Sequence, residues 1–195
     1  TTNKAVSLYG VEWLQFDDFS ASLATTFQVN TYTTDWQRYP SIAALNSGGF
    51  AITWHSGDPD GDGDVYAQIY DAAGDKVGTE FLVNTYTTDW QLRPSITALD
   101  DGGFVISWHS EGKDGDEWGV YAQIYDANGS RVGSEFQVNT YTADNQGFPT
   151  ITALADGSFV ISWHSEGQDG DELGVYAQIY DANGSRVGSE FQVNT

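Results

Sequence analysis

Apolar and polar positions alternate along most of this chain, in short bursts separated by glycine- and aspartate-rich stretches. The alternation is clearest between Pro94 and Thr140. Pro94-Ser95-Ile96-Thr97-Ala98-Leu99 reads as a first strand, and Asp100-Asp101-Gly102-Gly103 as a tight turn. Phe104 to Ser110 reads as a second strand, followed by an acidic, glycine-rich loop from Glu111 to Gly119. Val120 to Tyr125 predicts a third strand, with Val120, Ala122 and Ile124 on one face and Tyr121 and Tyr125 on the other. Asp126-Ala127-Asn128-Gly129 is a hairpin signal, because Asn-Gly readily takes the positive φ such turns need. A fourth strand then includes Phe136 and Val138. No helical period occurs, and apolar residues on both strand faces predict sheets held between other sheets.

The four-strand pattern recurs. Phe-Gln-Val-Asn-Thr begins at Phe27, returns as Phe-Leu-Val-Asn-Thr at Phe81, and reappears at Phe136 and Phe191, spacings of 54, 55 and 55 residues. Residues 101–140 and 156–195 differ at only three positions, Gly103/Ser158, Lys113/Gln168 and Trp118/Leu173. Tandem four-stranded antiparallel units of this length predict an all-β, propeller-like fold of about four blades. An open stack of units, or a string of small β-sandwiches, is the alternative. Trp54, Trp108 and Trp163 would lie between neighbouring blades. The units are 27–80, 81–135 and 136–190, with 191–195 starting a further one and 27–195 forming one cooperative domain. Residues 1–26 read as a diverged half-unit and an atypical closing blade, since Val11 to Thr31 can be laid without gaps on Val120 to Thr140.

Charge changes the picture in one direction. Seven Lys and Arg stand against 28 Asp and Glu, a formal charge of −21. Such a surface repels nucleic acid and attracts cations, though solubility alone favours the same composition. Aromatics make up 14% of the residues, which argues against disorder. There is no cysteine, hence no disulfide, and no apolar run long enough to insert in a membrane.

Three motifs carry candidate chemistry. The acidic loops (Asp58, Asp60, Asp62 and Asp64; Asp114, Asp116 and Glu117; Asp169, Asp171 and Glu172) alternate carboxylates with glycine, a pattern that curls oxygen ligands around calcium; a solvated acidic turn is the plainer reading. His55, His109 and His164 occupy the same place in each unit and predict a shared pocket or axial lining. Imidazole binds transition metals, but a packed structural histidine is commoner. The connectors Asp35-Trp36-Gln37 and Asp89-Trp90-Gln91 set an indole beside carboxylate and amide groups, which suits stacking on a sugar ring. Paired carboxylates lie in repeated loops rather than in one non-repeated cleft, so the sequence predicts that the protein is not an enzyme.

The elements Phe-Val-Asn-Thr, Asp-Gly-Gly-Phe, Trp-x-Ser and Tyr-Asp-x-x-Gly, spread over residues 27–195, resemble the ~55-residue tandem repeats of large secreted bacterial proteins of hemolysin-type calcium-binding or adhesin-like character. That resemblance implies an extracellular or cell-surface location and an adhesive or structural role. The Gly-Gly-x-Gly-x-Asp nonapeptides of those proteins are absent, so calcium rests on the acidic loops alone. The expectation is therefore a non-catalytic extracellular module stabilised by calcium. The rivals are a multivalent lectin for cell-surface or matrix glycans, with one sugar site per repeat, and a self-associating surface fibre.

Overall fold

A computed structural model describes residues 27–57 and 62–194; Asp58 and Asp60, and the half-unit over 1–26, lie outside the described residues. The chain is all-β. Among the described residues, twelve strands form three antiparallel sheets of four, each in chain order. The first holds β1 (Gln37–Ala44), β2 (Phe50–Gly57), β3 (Gly63–Tyr70) and β4 (Lys76–Leu82). The second holds β5 (Gln91–Ala98), β6 (Phe104–Glu111), β7 (Trp118–Tyr125) and β8 (Arg131–Gln137). The third holds β9 (Gln146–Ala153), β10 (Phe159–Glu166), β11 (Leu173–Tyr180) and β12 (Arg186–Gln192). β1 lies against β5 and β5 against β9, so the first strand of each sheet is innermost and the sheets radiate as blades. The fold is propeller-like.

Blades pack face to face, large side chains against small ones. One core joins Ala51, Val65, Ala67 and Ile69 of the first blade to Phe104, Trp108, Tyr121 and Tyr125 of the second. The next joins Val105, Val120, Ala122 and Ile124 to Phe159, Trp163, Tyr176 and Tyr180. Polar latches repeat at the same places. Tyr125 Oη and Arg131 Nη2 donate to the Val83 carbonyl at 3.2 and 2.9 Å, and the Glu135 carboxylate accepts the Thr85 N–H at 2.7 Å. Tyr180, Arg186 and Glu190 do the same to Val138 and Thr140.

The hairpins follow the reading of the sequence. Gly129 sits at φ 81°, and Asp126 Oδ1 accepts the N–H groups of Asn128 and Ser130. The inner strands do not. They start at Gln37, Gln91 and Gln146 and run straight through a proline. Proline fits there because each inner strand is a sheet edge and because the ladder slips a register just before it, between Arg38 and Ser41 and between Leu92 and Ser95.

Candidate functional site

The site is built where the connector entering each blade meets the end of that blade's second strand. The carbonyls of Trp36, Trp90 and Asn145 accept the backbone N–H of Gly57, Glu111 and Glu166 at 2.7, 2.9 and 2.9 Å. This pins the connector side chains beside the strand ends. Asp35 and Asp89 turn the connectors through left-handed backbone, φ 57° and 58°, and neither lines the clefts described below. Gln37 and Gln91 donate their amides to the Thr34 and Thr88 carbonyls. Gln91 is fully buried, so it braces the connector rather than meeting a ligand.

At the bulge of each inner strand one residue before proline, Tyr39, Arg93 or Phe148, holds φ 54°. A positive φ costs a non-glycine residue about 1 kcal/mol or more and concentrates at functional sites. The three side chains meet: the Arg93 guanidinium lies 4.1 Å from the centre of the Tyr39 ring and 4.4 Å from that of Phe148. One residue from each of three blades thus forms a tyrosine–arginine–phenylalanine sandwich.

Two clefts flank this sandwich. The first, about 340 Å³, is lined by Trp36, Arg38, Tyr39, His55, Trp90, Leu92, Glu111 and Trp118. Trp36 and Trp90 stack with centroids 6.0 Å apart, and Arg38 covers the Trp36 ring at 4.2 Å. Trp36 is still 53% exposed. The second cleft, about 410 Å³, has Arg93, His109, Trp118, Phe148, His164 and Glu166 among its walls. Trp118 borders both, its backbone bridged to that of Asn145 in the next connector. Asn145 Nδ2 donates to Glu166 Oε2 at 2.7 Å.

The three histidines do line these clefts, in unlike states. His55 Nδ1 donates to the Gln91 carbonyl at 2.9 Å. His109 Nδ1 instead accepts the Phe148 N–H at 3.2 Å, which puts its proton on Nε2. Burial first, then the charge of Arg93 and the neighbouring His164 and His55, hold the His109 imidazole at about 3, so it is neutral in any ordinary buffer. Burial also lowers His164, against the opposing pull of Glu166. Gly147 makes room for His109, since a Cβ there would lie 2.5 Å from Nδ1.

Five of the acidic-loop carboxylates accept hydrogen bonds locally. Asp64 accepts from Asn84, Asp114 from Gln137 and Asp169 from Gln192, at 2.6, 2.9 and 2.6 Å. Asp116 and Asp171 accept the N–H groups of Glu117 and Glu172. Among the described residues no group of three or more His, Asp or Glu is gathered as a metal site would require.

Arg38, Tyr39, Leu92, Arg93, Glu111, Phe148 and Glu166 were not singled out by the sequence, yet a signal was there. Residues 81–140 and 136–195 differ at ten positions, and four of them, Trp90/Asn145, Leu92/Gly147, Arg93/Phe148 and Trp118/Leu173, line the clefts.

No protein-family model and no curated protein matches the chain. Solved structures do. A protein of unknown function from Dyadobacter fermentans superposes with a TM-score of 0.58 at 10% identity, over 80% of this chain and 53% of its own. An α-L-arabinofuranosidase from Lactobacillus brevis gives 0.52 at 12% identity, over 82% and 57%. An endo-arabinase from Bacteroides thetaiotaomicron gives 0.50 at 13% identity, over 80% and 61%. The chain spans a little over half the length of these structures, and the likeness shows the fold. It overturns the resemblance to hemolysin-type repeats, and with it the expected role as a non-catalytic adhesive module. The prediction that the protein is not an enzyme is corrected too, because glycoside-cleaving enzymes are built on this fold. The argument behind it fails in the structure as well: the copies diverge where the clefts are, so a repeated scaffold carries a non-repeated site.

Proposed function

We propose that this chain is a carbohydrate-active protein whose saccharide lies across the indoles of the first cleft. The observation that carries this reading is the convergence of Trp36, Trp90 and Trp118 on one hollow with Arg38 and Glu111 beside them. Flat apolar rings match the C–H faces of a sugar, while a guanidinium and a carboxylate at the margin exchange hydrogen bonds with its hydroxyls. The arabinan-directed names of two proteins that share the fold support the same class of ligand. Among the described residues the site is not repeated: two connectors supply tryptophan to the same cleft, and the third supplies Asn145 to the next.

Cleavage of a glycosidic bond asks for a pair of carboxyl groups about the scissile oxygen. Glu111 and Glu166, at equivalent ends of β6 and β10, are carboxylates that line the two clefts. The test is titration of arabino- and xylo-oligosaccharides followed by tryptophan fluorescence and calorimetry, with reducing-end release measured in parallel. Saturable binding that is weakened in Trp36→Ala and Trp90→Ala is the expected result. A panel without binding or bond cleavage overturns the reading.

A further inference from the structure

Carboxylates outnumber cations 28 to 7, yet none of the arginines Arg38, Arg93, Arg131 and Arg186 pairs with one of them among the described residues. Among the described residues the one ion pair is Lys113–Glu135. Arg131 and Arg186 spend their guanidinium groups on the Val83 and Val138 carbonyls. Arg38 and Arg93 do neither: Arg38 lies over the Trp36 ring at the first cleft, and Arg93 donates no hydrogen bond to any described residue. Its guanidinium is clamped between the Tyr39 and Phe148 rings at 4.1 and 4.4 Å, and it lines the second cleft. The rings leave its N–H groups without an acceptor, and that planar fork matches a carboxylate with two parallel hydrogen bonds.

A second group in the same wall is also unspent. His109 is 5% exposed, and its Nε2, which carries the proton, has no acceptor among the described residues. Glu166 stands in another part of the lining, one oxygen already accepting from Asn145. The cleft is therefore polarised, with an unspent guanidinium at Arg93 and an acceptor at Glu166. We propose that the second cleft binds a saccharide unit bearing a carboxylate, a uronic acid, with the acid group on Arg93 and ring hydroxyls toward Glu166. This inference rests on the carbohydrate reading above and narrows it.

Calorimetric titration with tri-galacturonate, a sulfated trisaccharide and neutral xylotriose or arabinotriose tests it on the whole chain. The wild type is expected to bind tri-galacturonate about tenfold or more tighter than the neutral sugars. Raising NaCl should narrow that margin, because the contact is ionic. Arg93→Met keeps the stem between the rings and should erase the margin while leaving neutral-sugar affinity in place. Arg93→Lys keeps the charge without the fork and should retain only part of the margin; it serves alone if the methionine variant does not fold. Equal binding of acidic and neutral sugars, a preference for the sulfated one, or a margin that survives Arg93→Met overturns the uronate site and leaves the carbohydrate reading standing. Absence of binding by all four probes overturns both.

Discussion

Trp36 and Trp90 stack at 6.0 Å with their planes inclined by 17°, although they sit on the connectors of different blades, 54 residues apart in sequence. The contact exists because each connector carbonyl is hydrogen-bonded to the end of its own second strand, so both indoles are delivered to the same seam. His55 closes the group, 5.6 Å from the Trp90 ring.

The two tryptophans should separate binding from folding. Trp36 is largely exposed, so Trp36→Ala is expected to change stability by no more than about 0.5 kcal/mol. Its saccharide affinity should fall about tenfold, the mark of an interface aromatic worth over 1 kcal/mol. Trp90→Ala should lose affinity and also about 1–2 kcal/mol of stability, because its ring packs on both Trp36 and His55. Urea unfolding beside sugar titration reads both.

The latches between blades carry measurable stability. Glu135 accepts from the Thr85 N–H and hydroxyl at 2.7 and 2.9 Å and pairs with Lys113. Glu135→Ala should cost about 2 kcal/mol in chemical denaturation, as loss of charge-assisted bonds does. Tyr125→Phe should cost about 1 kcal/mol or less, because Arg131 still donates to the same Val83 carbonyl.

His109 should make the protein acid-sensitive. In the unfolded chain it titrates near its ordinary value of 6.5, and in the fold at about 3. The unfolded state therefore binds the proton more readily between those values. The contribution of His109 is whole above about pH 6.5 and is lost as pH falls toward 3. Arg93, His164 and His55 supply the charges that face it. Between pH 7 and 4.5 the stability advantage of the wild type over His109→Gln should shrink by on the order of 2 kcal/mol. Parallel pH profiles for the two proteins refute this origin, since the carboxylates are common to both.

Calcium at the acidic loops stands as a proposal for the melting curve to decide. Alternating carboxylate and glycine favours an oxygen-liganded ion, whereas five of the described carboxylates already accept amide or backbone donors. Calcium titrated into exhaustively chelated protein is expected to raise Tm by several degrees, by binding only the folded state. An unchanged Tm assigns these side chains to the turns.

Strand periodicity and the Asn-Gly hairpins were legible because they are local: alternation reports burial on a pleat, and Gly129 needs its positive φ wherever it sits. The core tryptophans Trp108 and Trp163 were legible for the same reason, since strands apolar on both faces have to lie between sheets. The bulges at Tyr39, Arg93 and Phe148 were not. A proline inside a strand reads as a strand start, and only the packing of β1, β5 and β9 around a common axis makes the residue before it bend inward. The gathering of Trp36, Trp90 and Trp118 was equally hidden, because it depends on how blades meet rather than on spacing within one. The histidines were located by their repetition, but the opposite tautomers of His55 and His109 follow from which backbone group each ring happens to reach.

The three bulges are the same backbone device used three times with three unrelated side chains. A tyrosine, an arginine and a phenylalanine occupy identical φ and the same place before proline, and the surrounding ladders keep the same register. Each bulge therefore works as a socket into which chemistry can be plugged without retuning the sheet behind it. The side chain presented at each bulge can be exchanged one blade at a time, while the load of folding stays with the ladders behind it.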